Sequence, residues 1–115
     1  MPCKVLRYIP IIPCLQQLFR CQNIAQFMDY HARNRSQHDI IQTPVDGSAF
    51  RDMEEKWPHF KEEPHNIRIS LAVDGVNPFA ETRSIYSVWP IFVIKNNIPP
   101  WLSIMREYII LSIII

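Results

Sequence analysis

Hydrophobic and polar residues alternate most cleanly between Ile67 and Asp74. Ile67, Ile69, Leu71 and Val73 take every second position, with Arg68, Ser70, Ala72 and Asp74 between them. A period of two is that of a β-strand, so the four large apolar side chains are predicted to share one buried face. Asp74 then stands on the opposite face, at the strand's end. Gly75, Asn77 and Pro78 follow it and supply turn chemistry: a residue free in φ, a side chain that bonds its own backbone, and a fixed φ.

Upstream the period changes. Met1 to Pro13 reads as extended, because Pro10 and Pro13 limit any helix before them. From Pro13 a short helix is expected, with Leu15, Leu18 and Phe19 at helical spacing. A second helix is predicted from about Gln22 to Asn34, with Asn23 as its cap. Ile24, Phe27, Met28, His31 and Ala32 share its apolar face, and Gln26, Asp29 and Arg33 its polar one. Asn34 to Gly47 is a polar connection. A third helix runs from about Ser48 to Trp57 and stops there because Pro58 cannot continue it. Its apolar stripe is Phe50, Met53 and Trp57. Asp52, Glu54 and Glu55 face solvent, and Asp46 or Ser48 caps its start.

Downstream, Ile85 to Ile94 reads as a second strand, with Pro90 implying an edge position or a bulge. Asn96, Asn97, Pro99 and Pro100 form the next turn. Tyr108 to Ile115 is a third strand, apolar on both faces and so suited to the middle of a sheet. The expected class is α+β: N-terminal helices over residues 1–65, then a three-stranded antiparallel meander over 66–115. An uncovered strand ending on Ile-Ile-Ile is an aggregation hazard, which reads as a chain cut short and poorly soluble alone.

Composition narrows the function classes. The chain has 115 residues, enough for one small domain. Its formal net charge is +1, so no global field draws it to nucleic acid. Ten prolines against two glycines argue against a glycine-built phosphate loop. Cys3, Cys14 and Cys21 have no CxxC spacing and read as reduced thiols, the latter two partly buried. Lys4 and Arg7 precede an apolar run that Pro10 and Pro13 interrupt, and no small-residue cleavage site follows, so a signal peptide is rejected. The apolar run at the C-terminus is shorter than the roughly 18 residues of a spanning helix, so no transmembrane segment is expected.

Asp74 is the one candidate for catalysis or metal ligation. A carboxylate at a strand end can hold a divalent cation, or it can simply cap the turn. Two-ion chemistry on a phosphodiester needs further carboxylates, and neither Glu81 nor Asp46, Glu54 or Glu55 has a spacing that demands convergence on Asp74. His31, His38, His59 and His65 lack ligand spacing, and His31 reads as a helix-face residue that packs and hydrogen-bonds. Lys4, Arg7 and Arg20, with Arg33 and Arg35, either line a phosphate-binding face or are ordinary solvated charge. Trp57, Trp89 and Trp101 follow apolar spacing and read as core.

Five blocks in order, KVLRYIPIIPCLQQLF, AQFMDYHARNRS, TPVDGSAFRDMEEKWPHF, IRISLAVDGVNPF and YSVWPIFVIKNNIPPWLSI, resemble the large transposase of plant CACTA (En/Spm-type) DNA transposons. The resemblance covers nearly the whole chain. It implies an RNase H-like catalytic domain, here the truncated start of one. It also implies nuclear DNA cutting and strand transfer at transposon ends with two divalent ions, Mg²⁺ or Mn²⁺. Asp74 would be the first acid of the catalytic triad and a metal ligand. Cys14, Gln17, Ala80 and Met105 depart from the family pattern, and the later acids of the triad are not found. The resemblance therefore implies a transposase relic that is inactive alone. The alternative is a non-catalytic module that binds DNA, through Arg33 and Arg35, or full-length transposase.

Overall fold

The computed structural model describes residues 5–36, 40–79 and 87–115. Its architecture is α+β, with short helices gathered at one end of a four-stranded antiparallel sheet. The strands are β1 (Arg7–Tyr8), β2 (Ile69–Val73), β3 (Pro90–Lys95) and β4 (Ile110–Ile114), in the spatial order β1-β4-β3-β2. The expected meander is therefore joined by a fourth strand. The extended N-terminal segment pairs Arg7 with Ile114 and Tyr8 with Ile113, and Ile9 N–H reaches Ser112 O at 2.6 Å. An apolar β4 whose outer backbone groups need partners accounts for the recruitment.

β2 and β3 pair in continuous register from Ile69↔Lys95 to Val73↔Ile91. Pro90 is not on an edge strand, since β3 lies between β4 and β2. It is tolerated as the strand's first residue, where a ladder N–H is dispensable. The expected irregularity falls one step later, as a shift in the β3–β4 register between Ile91 and Phe92. Ile85 and Tyr86 lie outside the described residues.

The helices are α1 (Ile11–Arg20), α2 (Gln22–Ala25), α3 (Tyr30–Arg33), α4 (Ser48–Lys56), α5 (Pro58–Glu62) and α6 (Pro100–Ser103). Pro13 sits inside the first turn of α1, where no intrahelical N–H is required. The single helix expected over 22–34 is broken into α2 and α3. Asn97 Nδ2 donates to Met28 O at 3.1 Å, and His31 N–H donates to Asn97 O at 3.1 Å. Both groups are thereby taken from the helical ladder. The apolar face nonetheless holds: Ile24, Met28 and His31 are buried. Neither Asn23 nor Ser48 makes a side-chain cap, and Asp46 caps its own 3₁₀ turn, Pro44–Asp46, rather than α4. α4 stops at Lys56, and Pro58 opens α5.

The core lies beyond the sheet's end, not over β2. Ile24, Met28 and Ile98 form it, with Leu18, Phe27, Ile67, Leu102 and Tyr108 packed around them. Of the alternating apolar set, Ile67 alone joins this cluster. Ile69, Leu71 and Val73 are 40%, 65% and 54% exposed, while Arg68 on the supposed outer face is 3% exposed. The predicted burial of that stripe is thus reversed. Trp57, Trp89 and Trp101 are likewise about half exposed rather than core.

Candidate functional site

Asp74 is the first residue after β2, and its side chain is exposed. Gly75 then lets the Trp89 indole approach the backbone, since a Cβ there would lie 3.0 Å from the ring. Val76 and Val88 exchange both backbone hydrogen bonds at 2.8 Å, which extends the β2–β3 ladder past Asp74. Asn77 Oδ1 accepts the Phe79 N–H at 2.9 Å and closes the turn that the sequence predicts. Asp74 is thus held at a paired strand end and faces water. Glu81 lies outside the described residues.

The ionisable groups that do converge are elsewhere. Glu54, expected to face solvent, is 4% exposed. Arg35 Nη2 donates to its Oε1 at 2.5 Å, Arg68 Nη2 stands 3.5 Å from the same oxygen, and Lys61 Nζ lies 3.9 Å from Oε2. The Arg68 guanidinium also stacks over Phe60 at 5.0 Å and donates to Asn66 O at 3.0 Å. The sequence hides Glu54 because Asp52, Glu54 and Glu55 form one acidic run. Only the fold brings Arg68 from β2's approach to the middle member.

Beside this cluster a cavity of about 350 Å³ is lined by Arg35, Ser36, Asp46, Arg51, Glu54 and Lys61, among others. Asp46 is buried on its floor. Burial opposes its ionisation, yet the Thr43, Gln42 and Ser36 N–H groups and the Ser36 hydroxyl outweigh that and hold its pKa below the ordinary value. With Glu55 also lining it, three acids offset the three bases Arg35, Arg51 and Lys61, so the cavity has no net pull on an anion. His31, packed nearby, has its pKa lowered to about 4, first by burial and then by the Arg68 charge. It is neutral at physiological pH, and its Nδ1 has no hydrogen-bond partner.

The two arginines expected to contact DNA are engaged within the chain. Arg33 bonds Asp29 Oδ1 through Nε at 3.0 Å and through Nη2 at 2.7 Å, and Nη2 also donates to Gln26 O at 2.8 Å. Arg35 is held by Glu54. They do not form a free basic face together.

The divalent ions that the resemblance implies would need several carboxylates close together. Among the described residues, no three His, Cys, Asp or Glu side chains come together to hold a metal ion. Asp74 joins no such group among the described residues, and a carboxylate without companions does not fit a two-ion site. Among the same residues, no helix is long and apolar enough to cross a membrane. Cys14 is half-buried and Cys21 exposed, both as free thiols, and Cys3 and His38 lie outside the described residues.

Compared with known proteins, residues 38–115 match the family model described as Transposase family tnp2, over more than half of the chain. No curated protein and no solved structure gives a match. The matched stretch contains Asp74, Glu54 with its partners Lys61 and Arg68, and strands β2 to β4, while Arg35 precedes it.

Proposed function

The chain belongs to transposase family tnp2, and from that premise we propose a transposase-derived protein of CACTA type without DNA-cutting activity of its own. In this reading strands β2 to β4 open an RNase H-like catalytic domain, and Asp74 is the first of its metal-binding acids. The observation that carries the reading is the family match across Asp74 together with that residue's place, exposed at the tip of a paired strand. DNA at transposon ends is the substrate of the intact machinery, and the nucleus is where it acts.

The expectation of inactivity rests on the donor set among the described residues. Strand cleavage by two ions needs carboxylates that grip both metals and steady the leaving oxygen. Asp74 offers at most one side of one coordination sphere, so no hydrolytic step is assigned to this chain. A role for Arg33 and Arg35 in DNA contact has little support from their geometry, because each already has a carboxylate partner.

The test is incubation of the chain with duplex DNA carrying transposon ends, in Mg²⁺ and separately in Mn²⁺. Nicking no faster than in buffer is expected. Nicking that disappears in Asp74→Ala would overturn the proposal.

A further inference from the structure

Among the described residues, three buried side-chain nitrogens lack a hydrogen-bond partner: His31 Nδ1, Arg68 Nε and Lys95 Nζ. Two of them have an account within the fold. His31 is neutral at physiological pH, and the Arg68 guanidinium keeps Glu54 as its counter-charge. Lys95 has neither. Its side chain is fully buried, yet below about pH 8 it carries an ammonium for which no acceptor is in place. Protein interiors pair such groups, so an orphaned buried charge points to something that completes it.

Lys95 also lines a cavity of about 370 Å³ between α1 and the start of β4. That size lies within the range of small-molecule sites, about 300–1,000 Å³. Leu18, Ile110 and Leu111 make the wall largely apolar. Three titratable groups surround the ammonium, and none is a fixed acceptor for it. Cys14 of α1 favours the ammonium only when ionised, and its thiol donates to Pro10 O at 3.7 Å. Tyr108 offers its ring at 5.9 Å. Glu107 is exposed, so water screens its charge.

These features select the ligand's chemistry. A phosphate would set a second negative charge against an apolar wall that holds no second cation. A carboxylate matches the ammonium one for one and accepts charge-assisted N–H bonds. The apolar wall then calls for a hydrocarbon body. The lysine stem is flexible, so Nζ can swing to the cavity while β3 stays in place.

We propose that the cavity between α1 and β4 is a binding site for a small monocarboxylate with a hydrocarbon tail, its carboxylate on Lys95 Nζ and its tail along Leu18, Ile110 and Leu111. This inference stands apart from any role for Asp74 in DNA chemistry.

Octanoate is titrated into the whole chain by calorimetry, with octanamide, acetate and inorganic phosphate as comparisons. Saturable octanoate binding is expected, with a dissociation constant of about 0.1–1 mM. Octanamide keeps the tail without the charge and should bind at least about tenfold more weakly. Acetate and phosphate keep a charge without the tail and should not saturate by about 10 mM. Lys95→Met should weaken octanoate binding at least about tenfold, with far-UV circular dichroism unchanged because the stem is retained. The pH profile tests the same contact should that variant fail to fold. It is measured in Cys14→Ser, so that no thiol titrates at the cavity. Octanoate stays ionised throughout, whereas the free protein releases the Lys95 proton above about pH 8. Affinity should therefore fall about tenfold from about pH 7 to about pH 9. No saturation by octanoate below about 5 mM overturns the proposal. So does octanamide, acetate or phosphate binding as tightly as octanoate, full affinity in folded Lys95→Met, or a flat pH profile.

Discussion

The Glu54 carboxylate and the Arg68 guanidinium face each other at 3.5 Å with both side chains almost wholly removed from water. Glu54 comes from the last turn of α4 and Arg68 from the approach to β2, so this pair joins the helical end to the sheet. Neutralising one partner strands the other, which typically costs about 3–5 kcal/mol when a buried pair is broken. Glu54→Gln keeps the shape but leaves Arg35 and Arg68 without their counter-charge. A loss of about 2–4 kcal/mol is expected from the urea midpoint, less than the full figure because Arg35 is partly solvated and keeps some hydration. The double variant Glu54→Leu, Arg68→Met should recover most of that loss. A midpoint for Glu54→Gln within about 0.5 kcal/mol of the parent would show that the pair is not a structural tie.

Asn97 is the second tie. Its Oδ1 accepts the Arg68 N–H at 2.6 Å, while Nδ2 donates to Met28 O, Pro64 O and Asn66 O at 3.1, 3.3 and 2.9 Å. One fully buried amide thus fixes the break between α2 and α3 and the entry to β2. Asn97→Asp sets a second acceptor against three carbonyl oxygens and should cost more than Asn97→Ala, at about 3 kcal/mol or above against about 2. Amide hydrogen exchange at Arg68 should accelerate in both variants. The order of the two variants is the diagnostic, since a simple cavity effect would make alanine the worse substitution.

What the sequence disclosed was local. The strand at Ile69–Val73, the stop before Pro58 and the turn after Asp74 each follow from residues a few positions apart. The features it concealed depend on contacts between distant segments. Residues 22–34 have an unbroken helical period, and only Asn97, 69 positions beyond Met28, explains why the helix divides there. Alternation in β2 identified the strand correctly but not the side the helices cover. They gather around Ile67 and Ile98 instead. Pairing of Arg7 and Tyr8 with β4 leaves no periodic signature in a two-residue strand. For the site, Asp74 was visible as a carboxylate at a strand tip. The Glu54 cluster was not, because its partners come from three separate stretches of chain.

Lys95 gives the last expectation. It is the final residue of β3, its side chain is fully buried, and Nζ has no hydrogen-bond partner, with the Tyr108 ring 5.9 Å away. Burial lowers its pKa to about 8 from the usual 10.5. The folded chain therefore gives up this proton more readily than the unfolded chain. Below about pH 8 both forms are charged and the full penalty of burying an ammonium applies, on the order of 3 kcal/mol. Between about pH 8 and 10.5 the unfolded chain binds the extra proton, so stability contributed by this group rises with pH and the penalty fades. Lys95→Met keeps the unbranched stem and removes the charge. It should stabilise the protein by about 1–3 kcal/mol at pH 7, with the advantage shrinking toward zero by about pH 10.5. Taking the difference between the two proteins in urea melts at matched pH cancels the titration of tyrosines and cysteines that both share. A constant advantage across that range would mean that Lys95 is already neutral or solvated in the fold, and a loss at pH 7 would mean that its ammonium has a partner that binds it more strongly than water does.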